Sequence, residues 1–163
     1  MRYLILPTLL LACGKADNDP DTSADSGAIS AEDQRAADLW AELDGYSEWQ
    51  QHEDWMGVSA SEDGTHGAFV QIWMNDLAAD AIAAGDGADM PEGAILVKEG
   101  YGSEDGAANG ITVMAKESGW GDDGWFWAKY AGDGSGSVQL AGSVNGCTGC
   151  HSGGQDSVLF VTW

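Results

Sequence analysis

The sequence predicts an α+β fold, mainly antiparallel β, in which a single sheet is flanked by one or two helices. Three observations carry this expectation. Short runs of β-branched and aromatic residues recur at close intervals, Gly/Asp turns separate them, and helical periodicity is confined to two stretches.

The elements follow in chain order. Across residues 31–46, Ala36, Leu39, Trp40 and Leu43 recur at three- and four-residue spacing, the apolar stripe of an amphipathic helix. Ser30 is its expected N-cap, Asp33 makes an approximate capping box, and Gly45 closes the helix. Residues 49–55 set Trp49 and Trp55 among polar residues and read as a loop or short turn ending in a strand. The run 66–75 is a strand by its β-branched and aromatic content. Asn75 then caps a short helix through Leu77, Ala78, Ile82 and Ala83, which Gly85 and Gly87 end. Pro91-Glu92-Gly93 marks a turn, and further strands are expected at 94–99, 111–116, 125–131 and 158–163.

Residues 1–12 have the form of an export signal. Arg2 precedes an apolar run from Tyr3 to Leu11, too short for a membrane-spanning helix, which needs about 20 residues. The sequence Leu10-Leu11-Ala12-Cys13 resembles the lipobox of bacterial lipoproteins, which implies a lipid on Cys13. The alternative is an ordinary secretory signal with Cys13 near its end. Residues 13–30 carry Asp17, Asp19, Asp21 and Asp25 among Ser, Ala, Gly and Pro without an aromatic residue, so an acidic, disordered tether is expected. The folded domain then occupies 31–163. Its expected place is the cell envelope, at the outer membrane or periplasmic face, with the lipid as its sole hold on the membrane.

Six Lys+Arg stand against 27 Asp+Glu, a formal charge of −21. Nothing in such a chain neutralises phosphates, which excludes nucleic acid as a partner. The acidic surface serves solubility or tolerance of salt, and it could also steer a basic redox partner protein.

Cysteine use is complete with three residues, one of them Cys13. The other two form Cys147-Thr148-Gly149-Cys150-His151, the attachment pattern of c-type haem. Two intervening residues space the sulfurs to match the haem vinyl groups, and the following histidine falls beneath the porphyrin as the proximal iron ligand. The single motif implies one covalently bound haem in a C-terminal attachment segment. Two other readings exist. A redox CxxC belongs at the start of a helix in a βαβ unit, and half a zinc site would need His52 and His66 as further ligands.

Further segments agree in order over residues 64–163. They are His66-Gly67 leading a strand that ends at Asn75, Pro91 to Glu99, Ile111 to Lys116, Gly124 to Tyr130, and the haem motif followed by Asp156-Ser157-Val158-Leu159-Phe160. Together these resemble the cytochrome P-460 family, which includes the cytochromes c′-beta. The resemblance implies a mainly antiparallel β fold, usually a homodimer, and a five-coordinate haem with an open distal face. In the cytochromes P-460 proper a lysine is cross-linked to the haem edge and hydroxylamine is oxidised. Lys98 falls where that lysine would be; as a residue alone it also reads as a strand-end lysine paired with a carboxylate. The catalytic members carry a distal carboxylate, whereas here Thr112 falls near that place beside Val113 and Met114, with Glu99 or Glu117 as candidate substitutes. An apolar distal pocket instead implies nitric oxide binding, as in the c′-beta members.

His66 and Met114 are candidate sixth ligands, which would close the iron and leave an electron-transfer cytochrome. Their ordinary uses would be a hydrogen bond and core packing. Trp125, Phe126, Trp127 and Tyr130 are expected in the core or a dimer interface, with one ring near the haem. The sequence thus reads as a c-type haem protein whose open iron acts on or binds small nitrogen species, hydroxylamine or nitric oxide.

Overall fold

The computed structural model describes residues 29–121 and 123–163. The export signal, Cys13 and the tether up to residue 28 lie outside them. Helix α1 spans Ala31–Glu42, and the Ser30 side chain accepts from the Asp33 backbone N–H at 3.0 Å, the expected cap. The helix stops short of residue 46 because Gly45 enters the left-handed region at φ 74° and starts a 3₁₀ turn, Tyr46–Glu48. A second such turn, Glu53–Trp55, leads to the two-residue strand β1, Ser59–Ala60.

Strand β2 (Phe69–Met74), helix α2 (Asp76–Ala84), and strands β3 (Ile95–Tyr101), β4 (Ala108–Lys116) and β5 (Trp125–Ala131) fall where the pattern places them. Strand β6 (Val138–Gly142) and helix α3 (Asn145–His151) follow. All six strands form one antiparallel sheet in chain order, each paired with its sequence neighbour. The fold is therefore α+β, as expected, with three α-helices around the sheet.

The strand expected at 158–163 does not form; that segment holds only an isolated bridge between Gln155 and Val158. Side chains satisfy its backbone instead of a ladder. Trp55 Nε1 donates to the Phe160 carbonyl at 2.9 Å, and the Gln155 amide bonds both backbone groups of Trp163, at 3.1 and 3.2 Å. The sixth strand is β6, a half-exposed edge with little apolar pattern between glycine-rich loops.

Alternation along the strands gives the sheet two apolar faces. On the first, Ala36 and Leu39 of α1 pack against Ile95, Val97, Val113 and Phe126, and Tyr130 donates from its hydroxyl to the Ala36 carbonyl at 2.7 Å. On the second, α2, Val158 and the tail pack against Met74, Leu96, Met114, Trp125 and Trp127. Trp125, Phe126 and Tyr130 are fully buried inside this one chain, so they are core.

Asn75 joins three elements. Its Oδ1 accepts from the N–H of Ala78, at 3.1 Å, and of Ile95, at 3.0 Å, while Nδ2 donates to the Gly93 carbonyl at 2.8 Å. Replacing it by Ala removes the α2 cap and leaves part-buried backbone groups unpaired. The expected cost is about 2–4 kcal/mol, read as a lower denaturant midpoint with an unchanged slope; a loss within experimental error would refute this account of the junction.

Candidate functional site

A cavity of about 360 Å³ lies on the second face of the sheet, between the strands, α3 and the tail. One cross-strand row forms its floor. The register aligns Ile72, Lys98, Thr112, Lys129 and Leu140 on five adjacent strands, and all five line the cavity. Leu96, Met114 and Trp127 belong to the next row and line it too. Opposite them stand Cys147, Cys150 and His151 of α3.

The motif sits on the short helix α3. On a helix, positions three apart share a face, which turns both thiols toward one side. Both cysteines are free, Cys147 half-buried and Cys150 exposed, and burial pushes the Cys147 thiol up. His151 is buried, and its Nδ1 lies 2.7 Å from the Ser157 carbonyl. A carbonyl only accepts, so Nδ1 must carry the proton and Nε2 keeps its lone pair for a metal. The Trp127 ring packs edge-on against the imidazole, with centroids 4.7 Å apart.

The Ser157 carbonyl is held in place by a turn of unusual backbone. Asp156 and Ser157 are the only non-glycine residues with positive φ among the described residues, at 41° and 66°. Asp156 secures that turn. Its Oδ1 meets Lys116 Nζ at 2.7 Å, its Oδ2 accepts from the Met90 N–H at 2.7 Å, and its carbonyl accepts from Trp125 Nε1 at 2.9 Å.

His66 enters the cavity from the loop before β2. Close backbone contact fixes this loop on β3: a Cβ at Gly100 would sit 1.6 Å from the His66 carbonyl oxygen, so only glycine fits there. The His66 ring lies with its centroid 6.3 Å from that of His151, and its Nδ1 is 3.2 Å from Thr112 Oγ1. Thr112 also bonds the Lys98 carbonyl at 3.2 Å. Burial pushes His66 down to about 4, so it is neutral at neutral pH. Burial likewise lowers Lys98.

Neither candidate carboxylate reaches the cavity. Glu99 points to the opposite face, where it accepts from the hydroxyls of Tyr46 and Tyr101; Glu117 is bound by Arg35. Among the described residues no Asp or Glu lines the cavity. Sequence reasoning missed Lys129 as a site residue and left open which aromatic ring stands at the site; it is Trp127. The alternation of 125–131 carried the signal, since both share a face with one another and not with Phe126 or Tyr130.

These residues suit a covalently held haem better than the other readings of the motif. The sheet has no βαβ unit, and among the described residues no group of three His, Cys, Asp or Glu is placed to hold a metal ion. The cavity offers two free thiols, one imidazole nitrogen with its lone pair available, and mainly apolar walls. Trp127, which lines it, carries the one buried side-chain polar atom without a partner among the described residues, Nε1. A family model described as Cytochrome P460 matches residues 44–160, which takes in every cavity residue named above. No curated protein matches the chain.

Proposed function

Because the chain belongs to the cytochrome P460 family, a family of haem proteins, we propose that it holds one haem covalently through Cys147 and Cys150. In this reading His151 is the proximal ligand and the opposite axial position stays open to small nitrogen species. The observation that supports it best is the bond from His151 Nδ1–H to the Ser157 carbonyl, which leaves Nε2 free in the same cavity as both thiols. A haem held by these residues would supply one-electron chemistry and a binding site for a diatomic or similarly small ligand.

Binding of nitric oxide is favoured over oxidation of hydroxylamine. Oxidation as in the catalytic members uses a distal carboxylate as base, and Glu99 and Glu117 are engaged elsewhere. Thr112 stands between Lys98 and Lys129 with no carboxylate beside it, and Ile72, Leu96 and Met114 make the adjoining walls apolar. A second reading rests on His66, whose ring faces that of His151 across 6.3 Å; as a sixth ligand it would make an electron-transfer cytochrome. Met114 lines the same cavity.

The test is the reduced spectrum and intact mass of the mature, haem-loaded protein. A five-coordinate high-spin spectrum that changes on adding nitric oxide is the expected result. A low-spin spectrum unresponsive to nitric oxide would overturn it in favour of His66 or Met114 ligation. A strongly red-shifted Soret band that disappears in Lys98→Met would instead assign the Lys98 cross-link and the oxidising activity. The same mass reports whether Cys13 carries acyl chains, as the proposed envelope anchor requires.

A further inference from the structure

The described residues include four basic side chains, Arg35, Lys98, Lys116 and Lys129, and the sheet sorts them into two kinds. Arg35 is paired with Glu42 and Glu117, and Lys116 with Asp156. Lys98 and Lys129 line the cavity and form no ion pair among the described residues, although the exposed Asp63 acts on Lys98 at longer range. In a chain with 27 Asp+Glu against six Lys+Arg, carboxylates are abundant, so an unpaired lysine is the exception.

The register explains how these two come together. Lys98 and Lys129 both lie opposite Thr112, one on each neighbouring strand, and point to the same face. Their backbones are two strand spacings apart, roughly 10 Å. Two residues along β5, on the same face, stands Trp127, which also lines the cavity. Two lysines thus line one cavity that no carboxylate lines among the described residues. Such a set is complementary to an acceptor bearing negative charge.

We propose that Lys98 and Lys129 form an anion site on the cavity floor that takes a carboxylate or a small oxyanion. This rests on the reading of the cavity as a haem site, and it identifies the chemistry that the cavity adds to iron. Two sources can supply the anion: the propionates of the bound haem itself, or a free oxyanion such as nitrite. The surrounding surface is strongly acidic and repels anions, so the pair concentrates the attraction at one point. Burial of Lys98 disfavours its charged form until a counter-charge arrives, which couples the lysine to the anion.

The experiment compares the haem-loaded wild type with Lys129→Met and Lys129→Arg. Calorimetric titration with nitrite, after the open iron has been saturated with cyanide, reads the free anion, and the propionate bending modes in the resonance Raman spectrum read the haem carboxylates. A free-anion site predicts nitrite binding that weakens by about tenfold or more in Lys129→Met and is restored in Lys129→Arg. A propionate site predicts shifted propionate modes in Lys129→Met, unshifted in Lys129→Arg, with no dependence on nitrite. If neither readout moves, the proposal is wrong. Should Lys129→Met fail to yield folded holoprotein, Lys98→Met probes the same site from its other end. Nitric oxide added to the wild type tests the open iron separately, since that ligand carries no charge.

Discussion

With Cys147 and Cys150 both replaced by serine, the chain will carry no covalently attached haem, whereas either single replacement will leave one thioether. The two thiols are equivalent in reach but not in surroundings. Both stand on α3 and line the cavity, Cys147 half-buried and packed against the second apolar cluster, Cys150 exposed. The helix is anchored independently of them. Cys147 N–H donates to the Val144 carbonyl at 2.8 Å, and His151 is held by Ser157 and Trp127. Serine fits where cysteine was but cannot form the thioether, so the change removes the bond without dismantling its support. Haem staining of a denaturing gel and intact mass will read the outcome: full loss in the double variant, one haem retained in each single variant. Haem surviving denaturation in the double variant would mean that attachment runs through another residue. Lys98 would then be the first candidate, since it lines the same cavity.

Local chemistry was readable from the sequence wherever one residue type has one strong use. Ser30 and Asn75 cap helices because a short polar side chain before an apolar run has few better partners than the free N–H groups beyond it. Strand β5 begins and ends as its aromatic alternation predicts. The errors come from tertiary context. Residues 158–163 look like a strand, yet they cover the second face of the sheet and take their hydrogen bonds from Trp55 and Gln155. Strand β6 is almost invisible because an edge strand needs only one good neighbour, and β5 supplies it. At the motif, the spacing singled out Cys147, Cys150 and His151, which the structure brings to one cavity. The site was not readable at Glu99, since one step along β3 separates the cavity face from the α1 face. Lys129 was hidden by its aromatic neighbours; only the pairing with Thr112 and Lys98 shows that it shares their cavity.

Asp156→Ala is expected to cost about 3–5 kcal/mol of stability and to disturb the proximal side of the haem. Three separate losses add up in this one change. Lys116 would lose its charged partner while staying buried; the two side chains are 14% and 8% exposed, and water cannot readily replace the carboxylate. The Met90 N–H would lose its acceptor. Alanine at a φ of 41° would also be more strained than aspartate, which tolerates the left-handed region through local hydrogen bonding. In the proposed haem site the consequence would reach the iron through Ser157, because its carbonyl sets which imidazole nitrogen of His151 carries the proton. A substitution series separates these causes. Asp156→Gly relieves the strain but leaves Lys116 unpaired. Asp156→Asn keeps the turn and an acceptor for Met90 but removes the charge, so it should cost less than either of the others. Denaturant midpoints of the haem-loaded proteins give the stabilities, and the iron–histidine stretching frequency reports the hydrogen bond at Nδ1. If the frequency stays constant across the series while stability falls, the turn supports the fold alone and has no part in orienting His151.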